Sequence, residues 1–208
     1  MRSLLALSRF IDGVTRWVGK FVVWIILIVC VISATNAVTR KAFDLSSNAW
    51  LEVQWYLFGA IFLLAAGYTL LNNEHVRVDI LSSRLSPRAQ VKVEIFGVLV
   101  FMLPICSLIL WLSWPMVVDS YVTHEMSSNA GGLVRWPVKL LVPVGFALLI
   151  IAGVSHLIKC VGYLQGLCPD PIHKEGVKTS EELLAEEIVL AAEQAAAEHA
   201  AQEQQKGR

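Results

Sequence analysis

Charge is what this chain has least of. Only 16% of its residues are Asp, Glu, Lys or Arg, against about 25% in soluble domains. Four stretches hold none at all: Phe21–Thr39, Val53–Asn73, Ile95–Val118 and Leu140–Ile158, of 19, 21, 24 and 19 residues. A helix rises about 1.5 Å per residue, so about 20 residues cross a hydrocarbon core of about 30 Å. Each stretch is long enough to span a bilayer. The apolar runs are continuous rather than alternating, which argues against a β-barrel, and lipid requires the backbone to pair internally, which leaves helices.

Other absences narrow the function. The cysteines at 30, 106, 160 and 168 form no C-x-x-C pair, so neither a zinc site nor a thiol–disulfide relay is indicated. Cys30 and Cys106 lie in apolar runs, where the thiol acts as a small apolar group. There is no phosphate-binding glycine loop and no nucleophile–base arrangement. Haem in a helix bundle wants paired histidines at depth. His75, His124, His173 and His199 give His156 no such partner, so His156 reads as a lone histidine near the end of the fourth run. His124 and Glu125 are two neighbours in a polar loop, too little for a metal centre. No basic patch supports nucleic-acid binding. No cofactor and no enzymatic activity are therefore expected. No apolar run has a charge near its middle, whereas a self-sufficient ion-coupled carrier usually needs one, or broken helices with exposed backbone.

The expected fold is an all-α integral membrane protein with four transmembrane helices, an N-terminal interfacial helix over 1–20, a transmembrane domain over 21–158 and an acidic, partly helical tail over 159–208. In residues 1–20, Leu4, Leu7, Ile11, Val14, Val18 and Phe21 share one helical face, and Arg2, Arg9 and Arg16 lie opposite. That pattern predicts a helix lying in the membrane interface among lipid headgroups, the alternative being an extension of the first span. The first run is too long for a cleaved signal peptide and three more follow, so it is read as retained. Residues 1–158 carry a net +4 and the remainder −4. Placing the N-terminus inside puts 13 Lys and Arg on the cytoplasmic side and four outside, so the positive-inside rule predicts both termini in the cytoplasm of a multi-pass protein. Trp50, Trp55, Trp111, Trp114 and Trp136 then sit at the outer interface, and Trp17 and Trp24 near the inner end of the first span, as amphipathic rings prefer.

Inside the spans, Gly59 with Ala66 and Ala60 with Gly67 predict a close-approach stripe. Pro104 predicts a distortion of the third span, Pro137 suits a first helical turn, and Pro143 predicts a bend. In the tail, Thr179 and Glu182 fit a capping box, and Leu184, Ile188, Ala191 and Ala195 form a seam too short for a coiled coil.

The polar residues at the span ends are the candidate site. Glu52 and Gln54 open the second span, where Glu52 serves either as an interfacial contact or as a coupling carboxylate. His75, Arg77 and Asp79 alternate with Val76, Val78 and Ile80 just after that span, with Glu94 opening the third. Concentrated at a membrane boundary, they read as a docking seam for another membrane protein or as an anchor of solvated ion pairs.

These same residues carry a family resemblance. Glu52-x-Gln54-x-Tyr56-Leu57-Phe58, the segment Asn73 to Ile80, Arg84-Leu85-Ser86-x-Arg88, Glu94, Gly131-Gly132-Leu133 and Trp136-Pro137-x-Lys139 together resemble the small, DctQ-type membrane subunit of tripartite ATP-independent periplasmic (TRAP) transporters over roughly residues 10–160. The resemblance implies a large DctM-type membrane subunit that carries the sodium and substrate sites, and a DctP-type periplasmic binding protein that delivers an organic acid or related solute. It implies symport across the bacterial inner membrane, with this chain as a non-enzymatic scaffold. A free-standing ion-coupled transporter or channel using Glu52 is the alternative; a membrane redox enzyme is the weakest reading.

Overall fold

In the computed structural model the described residues are 2–43, 47–72, 85–129, 131–169, 171 and 188. Four helices account for most of them: α1 (Arg2–Phe43), α2 (Asn48–Asn72), α3 (Pro87–Val122) and α4 (Trp136–Leu164). All four are long and apolar enough to cross a membrane, as their charge-free runs require. Among the described residues the sole strand-like feature is a bridge between Met126 and Val134. Residues 173–208 form a separate unit. Of it, only Ile188 is described, helical and exposed, so the capping box lies outside the described residues, as does the seam apart from Ile188.

α4 is the axis of the bundle: α1, α2 and α3 all pack on it, and α1 also packs on α2. Small residues allow this. A β-carbon on Gly145 would stand 2.8 Å from Leu63 Cβ and 2.9 Å from the Leu63 carbonyl oxygen, so only glycine lets α2 and α4 approach this closely. Ala60 and Gly67 of the expected stripe are both buried; Ala60 packs on Ile25 and Val29, and Gly67 faces the Leu148 carbonyl.

The helix expected over residues 1–20 is present, as the first half of α1 rather than as an element of its own. At 42 residues α1 is about 63 Å long, twice the hydrocarbon thickness. Its packed side runs through Ser8, Asp12, Thr15, Gly19, Val22, Ile25 and Val29, at steps of four and three. In the first half that side is polar. The apolar row of Leu4, Leu7, Val14 and Phe21 is exposed instead, about a quarter turn round the helix. Lipid rather than water as the surrounding solvent explains the inversion: polar groups gain by turning inward to partners.

α3 takes up Pro104 without ending. Residues Val98–Met102 form one π-helical turn in which the Leu103 N–H bonds to the Val98 carbonyl. Pro104 follows directly; it has no N–H to give and its ring would press on the carbonyl four residues back. The wider turn also corrects register. Buried Val91 and Val98 are seven residues apart, as are buried Cys106, Ser113 and Ser120, while the step from Val98 to Cys106 is eight. Seven residues make nearly two α-helical turns, so the extra residue would swing the second series off α4. A π-bulge absorbs it. The same span holds Pro115, again inside continuous helix, and α4 runs on through Pro143 with Pro137 in its first turn.

Candidate functional site

Ionisable groups gather at the two ends of the bundle. At one end, Glu52, the fifth residue of α2, is 3% exposed. Its carboxylate accepts from the Ser127 hydroxyl, from Asn129 Nδ2 at 2.8 Å and from the Leu133 N–H at 2.7 Å. All three donors belong to the loop between α3 and α4. That loop is closed on itself by Ser127 N–H to Leu133 O (2.9 Å), Gly132 N–H to Asn129 O (2.9 Å) and Arg135 N–H to Glu125 O (3.0 Å). Gly131, with φ of 71°, supplies the left-handed residue that the reversal needs. Glu125 accepts from the Lys139 ammonium and, at 3.4 Å, from Arg135 Nη1. The bond from Lys139 holds the Glu125 carboxyl below its ordinary value of 4.5, with Ser120 and Arg135 acting in the same direction against the cost of burial. Glu52, Tyr56, Ser127, Arg135 and Lys139 line a cavity of about 280 Å³ whose rim carries exposed Trp55. Gln54, on the same helix, has its Nε2 buried with no hydrogen-bond partner among the described residues.

At the opposite end, near the N-terminus, the contacts join helices. The Ser8 hydroxyl meets Ser155 Oγ at 2.7 Å; Ser155 Oγ donates to Asp12 Oδ1 at 2.7 Å; Lys159 Nζ holds Asp12 Oδ2 at 2.5 Å. This chain fastens α1 to α4. Beside it, His156 Nε2 lies 3.2 Å from Glu94 Oε1 and 3.5 Å from Cys160 Sγ, which fastens the start of α3 to α4. Neither neighbour of His156 is a second histidine, and sequence reasoning drew neither contact. Among the described residues no three His, Cys, Asp or Glu groups stand in a metal-binding arrangement.

Glu52 and Gln54 lie at one end of the bundle and Glu94 at the other, the opposite sides on which the order of the spans puts them. His75, Arg77 and Asp79 lie outside the described residues. Trp50, Trp55, Trp111 and Trp114 are exposed on the half of the bundle that holds Glu52. Trp136 is there too, edge-on to Tyr121 with ring centres 5.6 Å apart. Sequence reasoning passed over Ser8, Asp12, Ser155 and Lys159. Their signal was available: Ser8, Asp12 and Thr15 recur at steps of four and three, a polar stripe on a helix otherwise read by its apolar row.

The family described as tripartite ATP-independent periplasmic transporters, DctQ component, matches residues 29–162. The chain belongs to this family. The DctQ match begins inside α1 and ends in α4, so it takes in Glu52, Glu94, Glu125, Lys139, His156 and Lys159 and leaves Ser8 and Asp12 outside. As a DctQ component the chain is a multi-pass membrane protein and part of a TRAP transporter. No curated protein matches it.

Proposed function

We propose that the chain is the small scaffold subunit of a TRAP-type secondary transporter. It braces a large sodium-coupled DctM-type subunit during uptake of an organic acid or related solute delivered by a DctP-type binding protein. One observation carries the reading: the buried and half-buried Glu52, Glu125 and Lys139 at one end, and Asp12, Lys159, Glu94 and His156 at the other, are spent on contacts within the chain. Groups locked to their own chain stiffen it and are not poised to load and release an ion. This disfavours a free-standing carrier working through Glu52, whose carboxylate is held by three donors.

In this reading the protein lies in the bacterial inner membrane with both termini cytoplasmic. The Glu52 end faces the periplasm, and the tryptophans hold its depth. His75, Arg77 and Asp79 dock the large subunit on the cytoplasmic side. Co-expression with the large subunit tests it. The two should purify as a complex that transports only with the binding protein present, and charge reversal at Arg77 or Asp79 should cut complex recovery without impairing insertion. Solute uptake by this chain alone in liposomes would sink the proposal.

A further inference from the structure

The polar lock between α1 and α4 sets the depth of α1 and so the depth of its cations. Asp12 is bonded to Ser155 and Lys159, and Lys159 is the first charge after the apolar run Leu140–Ile158. Asp12 is thereby held beside the end of that run. Arg9 lies about one turn before Asp12, and Arg16 and Lys20 about one and two turns after it, all ahead of the charge-free run that begins at Phe21. Gly19, between Arg16 and Lys20, packs against the Tyr68 ring. All three cations are exposed and form no ion pair among the described residues. They share one side of the helix with Trp17, which is 69% exposed. The one carboxylate among the first twenty residues, Asp12, is turned away and neutralised by Lys159. Gly13 leaves a gap in the surface, and Arg9, Phe10, Gly13, Val14 and Trp17 line the resulting groove.

We propose that this stripe of Arg9, Arg16, Lys20 and Trp17 is a binding site for anionic phospholipid headgroups at the membrane surface nearest the N-terminus. Cations just ahead of the charge-free run that begins at Phe21 reach phosphate level on their long stems. An unbalanced positive row there is complemented by an anion that lies at the same depth, which a lipid phosphate does and a soluble anion does not. Phe10 and Val14 meet acyl chain, and Trp17 sits at the ring depth aromatic side chains prefer. The inference is independent of the transport role.

The test is native mass spectrometry of the full chain released from nanodiscs of phosphatidylcholine with and without phosphatidylglycerol. Retained lipid should be enriched in phosphatidylglycerol, and each of Arg9→Gln, Arg16→Gln and Lys20→Gln should lower the enrichment by about fivefold. Arg9→Lys and Arg16→Lys should keep most of it. Arg40→Gln with Lys41→Gln, at the far end of the same helix, should leave it unchanged, and circular dichroism should show the variants equally helical. Equal retention of the two lipids by the wild-type chain would overturn the proposal and assign the stripe to an acidic protein partner. So would an equal loss in the Arg40/Lys41 variant, which would mean diffuse attraction rather than a site.

Discussion

The two ends of the bundle spend their charges differently. At the Glu52 end a buried carboxylate collects neutral donors from one loop, and Glu125 pairs with cations 10 and 14 residues away. At the N-terminal end Asp12 pairs with Lys159, and Glu94 with His156, so each contact crosses from one helix to another. One end shapes a loop; the other clamps spans. Each outcome follows from what surrounds it. The α3–α4 connection must make a reversal from short polar residues, and a carboxylate beneath it can satisfy several donors at once. At the other end the described contacts run between long helices that pass each other, and polar groups within a membrane gain by finding partners on the next helix.

The largest expected effect is at the single residue on which the loop hangs. Glu52→Ala leaves the Ser127 hydroxyl, Asn129 amide and Leu133 N–H without their acceptor. The melting temperature in detergent should fall by about 5 °C or more. Hydrogen exchange at 125–135 should rise sharply while the middles of α1 and α4 stay protected. Glu52→Gln keeps one acceptor oxygen and should fall between. Uniform loosening of all four helices would show that Glu52 serves the whole bundle and that the contrast between the ends is false.

At the other end the prediction concerns coupling. Asp12→Asn and Lys159→Met should each destabilise by about 2 kcal/mol, because each strands a charge in a poor solvent, while the double variant recovers most of the loss. A cycle of the four proteins in a denaturant titration should give a coupling of at least about 1 kcal/mol. Additive losses would mean that the pair does not hold α1 to α4.

How much of this could be read from sequence depends on whether the cause is local. Four charge-free runs of span length admit one backbone solution, so the four helices were legible. So was the role of Ala60 and Gly67, since small residues at helical spacing mark a close contact. The polar stripe Ser8, Asp12 and Thr15 on which the first half of α1 packs was passed over, because the apolar row of Leu4, Leu7 and Val14 is the conspicuous feature of that segment. The π-helical turn was half visible: Pro104 announces a disturbance, but its register role depends on the eight-residue step between Val98 and Cys106, which has meaning only once α4 is known to be the neighbour. Glu94 with His156, and Glu52 with the loop, are long-range pairings that no period links, and they were not legible at all.

A smaller effect is expected at the second clamp. Glu94→Gln keeps the shape of the side chain but removes the charge facing His156 Nε2 at 3.2 Å. It should cost about 1 kcal/mol and loosen the start of α3, seen as faster exchange over Pro87–Gly97, with α1 unaffected. If exchange in α1 rises as well, the two clamps act as one unit.

The smallest effect separates the ends by acid. Glu125 is the carboxylate outside the spans whose proton affinity is lowered, chiefly by the bond from Lys139. A group depressed in the folded state stabilises above its ordinary value of 4.5 and loses that contribution as pH falls through the lower folded value. Acidification below the ordinary carboxylate range should therefore loosen the loop first. Trp136 reports it, because its ring meets Tyr121 edge-on at the base of that loop: its fluorescence should shift in a Trp-reduced background while far-ultraviolet circular dichroism holds. Glu125→Gln should abolish the pH dependence and leave the loop in its loosened condition at neutral pH. The side chains are partly exposed, so high salt should mimic part of the acid effect by screening the pair. Salt should barely move the Asp12–Lys159 clamp, where Asp12 is buried against α4, and that difference in salt response is the finest measure of how unlike the two ends are.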